Sequence, residues 1–196
     1  MVRFTVRKKE DVKDIKLVSG HFPFGYHKPL FTDYTYITLL REPVNRIISF
    51  YYYTKRSPQE KDYLFINDNN VDIEEYILSC RTKENDNGMV RKISGEGTRT
   101  AYGKCTGDML KKAILNIETH FSVVGLQDRF DDTIKLLQRF FNWPNIPYKS
   151  QNITENRPDK LSLSRKTINI IKEHNALDME LYEYARKSFT EKMRKI

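Results

Sequence analysis

The sequence predicts an α/β fold with a mainly parallel sheet flanked by helices. Three observations carry this reading. Two short runs of β-branched and aromatic residues each pass directly into a helical period, and the stretches between them read as amphipathic helices. The 39% hydrophobic and 12% aromatic content, with Tyr 12 and Phe 11, is enough apolar material for a buried core. Strands joined through helices pair in parallel, and ligands of such sheets bind beyond the carboxyl ends of the strands. At 196 residues, with no repeat, Gly/Ser linker or low-complexity block, the chain reads as a single domain over residues 1–196.

In chain order, Lys16 to Phe22 reads as a short strand running into a turn, because Pro23 and Gly25 follow at once. Thr35 to Leu40 is a second strand, stopping at Arg41-Glu42-Pro43, where proline suits the first turn of a helix. From Val44 onward Ile47, Ile48, Tyr51 and Tyr52 recur at helical spacing. Ile73 to Cys80 and Asp108 to Glu118 read as amphipathic helices, whereas Lys83 to Gly88 and Gly95 to Gly107 read as polar loops. Phe121 to Leu126 is a third strand and Phe130 to Phe141 the helix after it. Ser164 to Lys192 reads as two helices meeting near His174-Asn175. At the start of the chain, Val2, Phe4 and Val6 alternate with Arg3, Thr5 and Arg7. That period of two predicts a strand pairing with a sheet edge, in its own chain or in a second copy as a homodimer.

Thirty-four Lys plus Arg against 26 Asp plus Glu give a net charge of +8, which points to anionic partners: nucleic acid, a phosphorylated nucleotide or an acidic polysaccharide. No nucleic-acid-binding motif accompanies the charge, so nucleic acid is not an expected partner. No window approaches the roughly 18 apolar residues of a membrane span, and the first ten residues lack the layout of a secretory signal. A complete chain of this kind is expected to be cytoplasmic. Cys80 and Cys105 alone make neither a metal site nor a disulfide framework, and no metal is expected.

The most informative stretch runs from Arg41 to Tyr52. Arg41 at a strand end can grip a phosphate through its guanidinium fork, the helix start adds backbone donors, and Ser49 adds a hydroxyl from the same helix. An ordinary helix whose arginine pairs with Glu42 or another acid is the alternative. Arg46, one turn on, can touch the phosphate, pair with an acid or cover apolar surface with its stem.

Leu40-Arg41-Glu42-Pro43-Val44-Asn45-Arg46-Ile47-Ile48-Ser49-Phe50-Tyr51-Tyr52-Tyr53 resembles the 3′-phosphate-binding motif of sulfotransferases that use 3′-phosphoadenosine 5′-phosphosulfate. The similarity is to the branch with uronyl 2-O-sulfotransferases and bacterial carbohydrate sulfotransferases. It extends to Ser19-Gly20-His21-Phe22-Pro23-Phe24-Gly25, to Phe121 through Phe130, and to the terminal helix from Asn175 to Ala185. The resemblance implies a P-loop-like sulfotransferase fold and an enzyme that moves a sulfuryl group from this donor to a hydroxyl, on a carbohydrate acceptor, leaving adenosine 3′,5′-bisphosphate.

Carried over by position, it implies that Arg41 and Ser49 hold the 3′-phosphate and that His21 is the catalytic base. An imidazole with an ordinary pKa near about 6.5 suits that role. Arg46 is a secondary cofactor-binding candidate, and Asn152, Thr154 and Arg157 lie in a family-like loop near the nucleotide. Arg91, Lys92, Ser94 and Gly95 also fall in a family-like segment facing acceptor or cofactor, or form a solvated basic helix end. His27, His120 and His174 read as surface or packing residues. The family's N-terminal strand and glycine-bearing phosphosulfate loop have no counterpart before Gly20, so the chain is expected to be truncated relative to the family. A non-catalytic nucleotide- or glycan-binding module derived from the same fold is the alternative function.

Overall fold

The computed structural model describes residues 15–26, 28, 33–145, 147–148 and 162–195. The alternating Val2 to Val6 segment, His27, and the candidates Asn152, Thr154 and Arg157 lie outside the described residues.

The fold is mixed α/β. Strand β1 (Tyr36–Leu40) leads into helix α1 (Pro43–Arg56); helices α2 (Tyr63–Asp68), α3 (Ile73–Leu78) and α4 (Gly88–Ser94) follow, with a 3-10 turn at Lys83–Asn85 before α4. Helix α5 (Gly107–His120) runs directly into strand β2 (Phe121–Leu126), and a 3-10 turn at Gln127–Arg129 opens α6 (Phe130–Phe141). Helices α7 (Arg165–His174) and α8 (Ala176–Met193) complete the described chain.

Among the described residues the sheet consists of β1 and β2, paired in parallel so that Leu40 lies opposite Leu126. Lys16 to Phe22, expected as a strand, forms none: Leu17 is 69% exposed and neither strand pairs with this segment. Its residue types suit a strand, but a lone extended segment has no ladder to satisfy its backbone. Helices α2 and α4 are the elements the sequence pattern did not announce.

Two apolar clusters make the core. One gathers the sheet with α4, α5, α6 and α8 around Val123, Leu126, Leu181 and Phe189; the other gathers α1, α2, α3 and α7 around Ile47, Ile66, Tyr76 and Ile171. Helix α1 contributes Val44, Ile47, Ile48 and Tyr51, one stripe at helical spacing, each 3% exposed or less. Each such side chain contributes on the order of 1.5–3 kcal/mol by leaving water. Gly125 permits the closest approach in the sheet layer: a Cβ there would lie 2.2 Å from Thr133 Cγ2 of α6. Thr133 in turn accepts a hydrogen bond from Leu126 N at 3.0 Å, so helix and strand are fastened as well as packed.

The segment from Lys83 to Gly88 reads as a polar loop, yet Asn85, Asp86 and Asn87 are buried. Their polarity is used internally. The Asn87 amide oxygen accepts from Leu177 N and Asp178 N at the start of α8, while the Asp178 carboxylate accepts from Met89 N at 2.9 Å and Val90 N at 2.7 Å at the start of α4. Each helix thereby caps the other. Asn175 strengthens the junction, its amide oxygen accepting from Asn87 N and its amide nitrogen donating to Asn85 O and Ile171 O.

Candidate functional site

The carboxyl ends of β1 and β2 place two turns side by side. One residue beyond the Leu40–Leu126 pair lie Arg41 and Gln127; two beyond lie Glu42 and Asp128. Arg41 is partly buried, with its Nε shielded from solvent. Pro43 occupies the first turn of α1, as its fixed φ and missing N–H favour.

The start of α1 differs from the sequence expectation in one respect. Backbone donors were expected there for an anion, but the Glu42 carboxylate accepts the Asn45 N–H at 2.8 Å and the Glu42 carbonyl accepts the Arg46 N–H at 2.8 Å. Pro43 has no N–H to offer. The chain's own acid thus caps the helix and takes up two of its first-turn N–H groups. Ser49 stands two turns further along α1, partly buried, and no hydrogen bond among the described residues engages its hydroxyl. Arg41 and Ser49 therefore belong to one rigid strand–helix unit.

Arg46 is committed elsewhere. Its guanidinium pairs with the Glu84 carboxylate and donates to Glu84 O at 2.9 Å, and it lies so close to Gly88 that a Cβ there would meet Nη2 at 2.5 Å. Of the three roles open to it from sequence, pairing with an acid is the one it takes. Lys92 pairs with the same carboxylate at 2.6 Å. Burial opposes charge on Glu84, but the two cations outweigh it and hold the carboxyl below its ordinary range.

Arg91 is likewise internal and not a solvated helix end. Its side chain is 3% exposed, pairs with Asp86, and donates to Asp86 O at 2.7 Å, Thr100 O at 2.8 Å and Ala101 O at 2.7 Å. It shapes the loop after α4. Ser94 is buried, its hydroxyl donating to Arg91 O at 3.4 Å.

His21 is exposed and sits on a different segment. Three residues on, Phe24 packs against Tyr36, His120 and Phe121 with ring centroids 5.2, 5.1 and 6.1 Å apart, and Phe24 N donates to Lys92 O at 2.7 Å. Tyr36 and Phe121 begin the two strands, so Phe24 is anchored at the strands' amino ends. The expectation that His21 stands at the end of a strand fails because Lys16 to Phe22 has no strand partner, and Phe24 just beyond packs in an aromatic nest. His120 and His174 take packing roles, with Nδ1 3.0 Å from the Tyr34 hydroxyl and 2.9 Å from the Tyr102 hydroxyl.

The turn after β2 carries contacts that the sequence expectations left out. The Tyr182 hydroxyl, from α8, donates to Asp128 Oδ1 at 2.7 Å, and Arg129 stacks over Phe189 of the same helix at 5.0 Å. The signal was available: a polar triplet, Gln127-Asp128-Arg129, immediately follows a buried parallel strand. Among the described residues no group of three or more His, Cys, Asp or Glu is placed to hold a metal ion, and no helix is long and apolar enough to cross a membrane.

Parallel strands with an arginine and a proline-initiated helix at their carboxyl end, flanked by helices, agree with the architecture of a carbohydrate sulfotransferase. The chain belongs to the galactose-3-O-sulfotransferase family, which matches residues 3–196. It is 27% identical over 194 residues to heparan-sulfate 6-O-sulfotransferase 1 of Cricetulus griseus, covering 87% of this chain and 47% of that protein. Against the Homo sapiens enzyme of the same name identity is 28% over 182 residues, with 80% and 44% covered. Against heparan-sulfate 6-O-sulfotransferase 2 of Homo sapiens it is 26% over 184 residues, with 82% and 30% covered. The chain spans less than half the length of these relatives. The matches support the carbohydrate sulfotransferase family that the motif suggested without singling out its uronyl 2-O branch. No solved structure matches.

Proposed function

We propose that the protein transfers a sulfuryl group from 3′-phosphoadenosine 5′-phosphosulfate to a hydroxyl of a carbohydrate. The observation that carries this reading is the β1–α1 unit: a partly buried Arg41 at the carboxyl end of a parallel strand, with Ser49 on the helix that follows it. In this reading Arg41 grips the 3′-phosphate through its guanidinium fork, Ser49 donates its hydroxyl, and neither Glu42 nor Arg46, both already bonded within the fold, is needed for the grip. The +8 net charge favours approach of an anionic donor. Asn152, Thr154 and Arg157 are proposed nucleotide contacts on the family resemblance of their loop.

The acceptor oxygen attacks sulfur in line as the bond from sulfur to the 5′-phosphate oxygen breaks, and that oxygen leaves with the electron pair on adenosine 3′,5′-bisphosphate. His21 takes the acceptor's proton; what supports it is the Gly20-His21 resemblance, whereas Arg41 is supported by position in the fold as well. Transfer of labelled sulfate from the donor onto a desulfated polysaccharide tests the reading. His21→Ala should lower turnover by about 10²–10⁴ while adenosine 3′,5′-bisphosphate affinity stays within about threefold. Unchanged turnover in His21→Ala removes the base assignment, and nucleotide binding by an unaltered chain that transfers nothing makes it a binding module.

A further inference from the structure

The turn after β2 holds an acid that the reaction scheme leaves without a task. Asp128 lies two residues past Leu126 and Glu42 two past Leu40, so both follow the paired carboxyl ends of the strands, where ligands of parallel sheets bind. Asp128 is exposed, yet its carboxylate is aimed: Tyr182, 7% exposed, donates its hydroxyl to Oδ1 at 2.7 Å. Oδ2 makes no hydrogen bond among the described residues.

Two further contacts stop the turn from moving relative to α8. Arg129 lies over the Phe189 ring at 5.0 Å, and its Nη1 donates to Thr190 Oγ1 at 3.4 Å. Tyr182 lies two turns before Phe189 and Thr190 on α8, so one helix holds the whole turn that carries the acid. The Glu42 carboxylate is close enough to act electrostatically on the Tyr182 phenol, which ties this pair to the Arg41 turn.

A fixed carboxylate beside an anion site repels phosphate and sulfate but accepts hydrogen bonds from neutral hydroxyls. We propose that Asp128, oriented by Tyr182, accepts a hydrogen bond from a hydroxyl of the carbohydrate acceptor and so sets how that acceptor lies against the Arg41 site. The inference rests on the sulfotransferase reading above. Asp128 touches the acceptor and Tyr182 is a positioning residue acting through it.

The sign of the charge effect separates this role from that of a surface acid. Removing a surface carboxylate strengthens binding of an acidic polysaccharide or leaves it unchanged, whereas removing a hydroxyl-binding carboxylate weakens it. Calorimetry with desulfated heparin, in the presence of adenosine 3′,5′-bisphosphate, reads that sign. Asp128→Ala should weaken polysaccharide binding about tenfold or more, in keeping with a hydrogen bond to a charged group. Tyr182→Phe, which frees the carboxylate without deleting it, should weaken binding about threefold. Nucleotide affinity should stay within twofold in both, and the unfolding midpoint of Asp128→Ala should stay within a few degrees of the parent.

Stronger or unchanged polysaccharide binding by Asp128→Ala overturns the proposal, as does a loss of nucleotide affinity in its place or no binding of the polysaccharide by the unaltered chain. An unaltered chain that fails to prefer adenosine 3′,5′-bisphosphate over adenosine 5′-monophosphate sinks the sulfotransferase reading itself, a result that the Asp128 variants do not produce.

Discussion

Replacing Asp178 by alanine tests the junction on which α4 and α8 are mounted. The side chain is fully buried and both carboxylate oxygens are used, one accepting from Met89 N at 2.9 Å and the other from Val90 N at 2.7 Å. Alanine leaves two buried donors at the start of α4 without an acceptor, at about 1–3 kcal/mol each. Relief of the carboxylate's own burial offsets part of that, so a net loss of about 3 kcal/mol is expected. For a chain of 196 residues this lowers the unfolding midpoint by about 6–12 °C, read by circular dichroism.

Asp178→Asn keeps the shape and one acceptor and should lose about 1 kcal/mol. The pH dependence carries a sign. Burial raises the Asp178 carboxyl above its ordinary value, against the pull of Arg46 and the two backbone donors. The folded chain therefore holds this proton to a higher pH than the unfolded chain does. That contribution is fully present below the ordinary carboxylate pKa of about 3.9 and is lost as pH rises through the folded value. The advantage of the parent over Asp178→Asn should accordingly shrink as pH rises. An Asp178→Ala variant within 1 kcal/mol of the parent, on the order of a single surface substitution, would refute the reciprocal-cap argument.

Arg46→Ala should cost about 1–3 kcal/mol of stability in urea unfolding through the lost Glu84 pair, yet leave nucleotide affinity within about threefold. Because Arg46 and Lys92 hold the Glu84 carboxyl low, the stability this pair supplies is present above the ordinary carboxylate pKa and lost as pH falls through the lowered value, a loss smaller in Arg46→Ala. Gly95→Ala should be more damaging, about 2–4 kcal/mol: its φ is +79° and a Cβ would lie 2.6 Å from the Phe24 carbonyl oxygen, a backbone atom that cannot swing away.

Local chemistry made much of the fold legible. Tyr36 to Leu40 and Phe121 to Leu126 are strands because their residues suit a pleated, buried surface, and Pro43 and Ser164 mark helix starts by backbone rules that need no tertiary contact. What misled was everything settled by distant partners. Arg91, Lys92, Ser94 and Gly95 read as a solvated basic helix end or a segment facing a ligand, but Gly88 to Ser94 becomes a buried helix because Asp178, some 90 residues away, caps it and Asp86 neutralises Arg91. Lys16 to Phe22 reads as a strand and is not one, since a strand exists only with a neighbour. The placing of Arg41 at the end of β1 and of Ser49 on α1 was legible in the strand–proline–helix pattern, whereas the Asp128–Tyr182 pair joins residues 54 apart and is visible only once α8 is laid across the end of β2.

Arg41 and Ser49 are proposed to read a 3′-phosphate. Calorimetric titration of the unaltered chain with adenosine 3′,5′-bisphosphate and with adenosine 5′-monophosphate, repeated on Arg41→Ala, tests it most directly. The bisphosphate should bind more tightly by about 10- to 150-fold, the range of one charge-assisted contact of about 1.5–3 kcal/mol, with most of that preference lost in Arg41→Ala. Equal affinity of the unaltered chain for the two nucleotides, or a preference that survives Arg41→Ala intact, would contradict it.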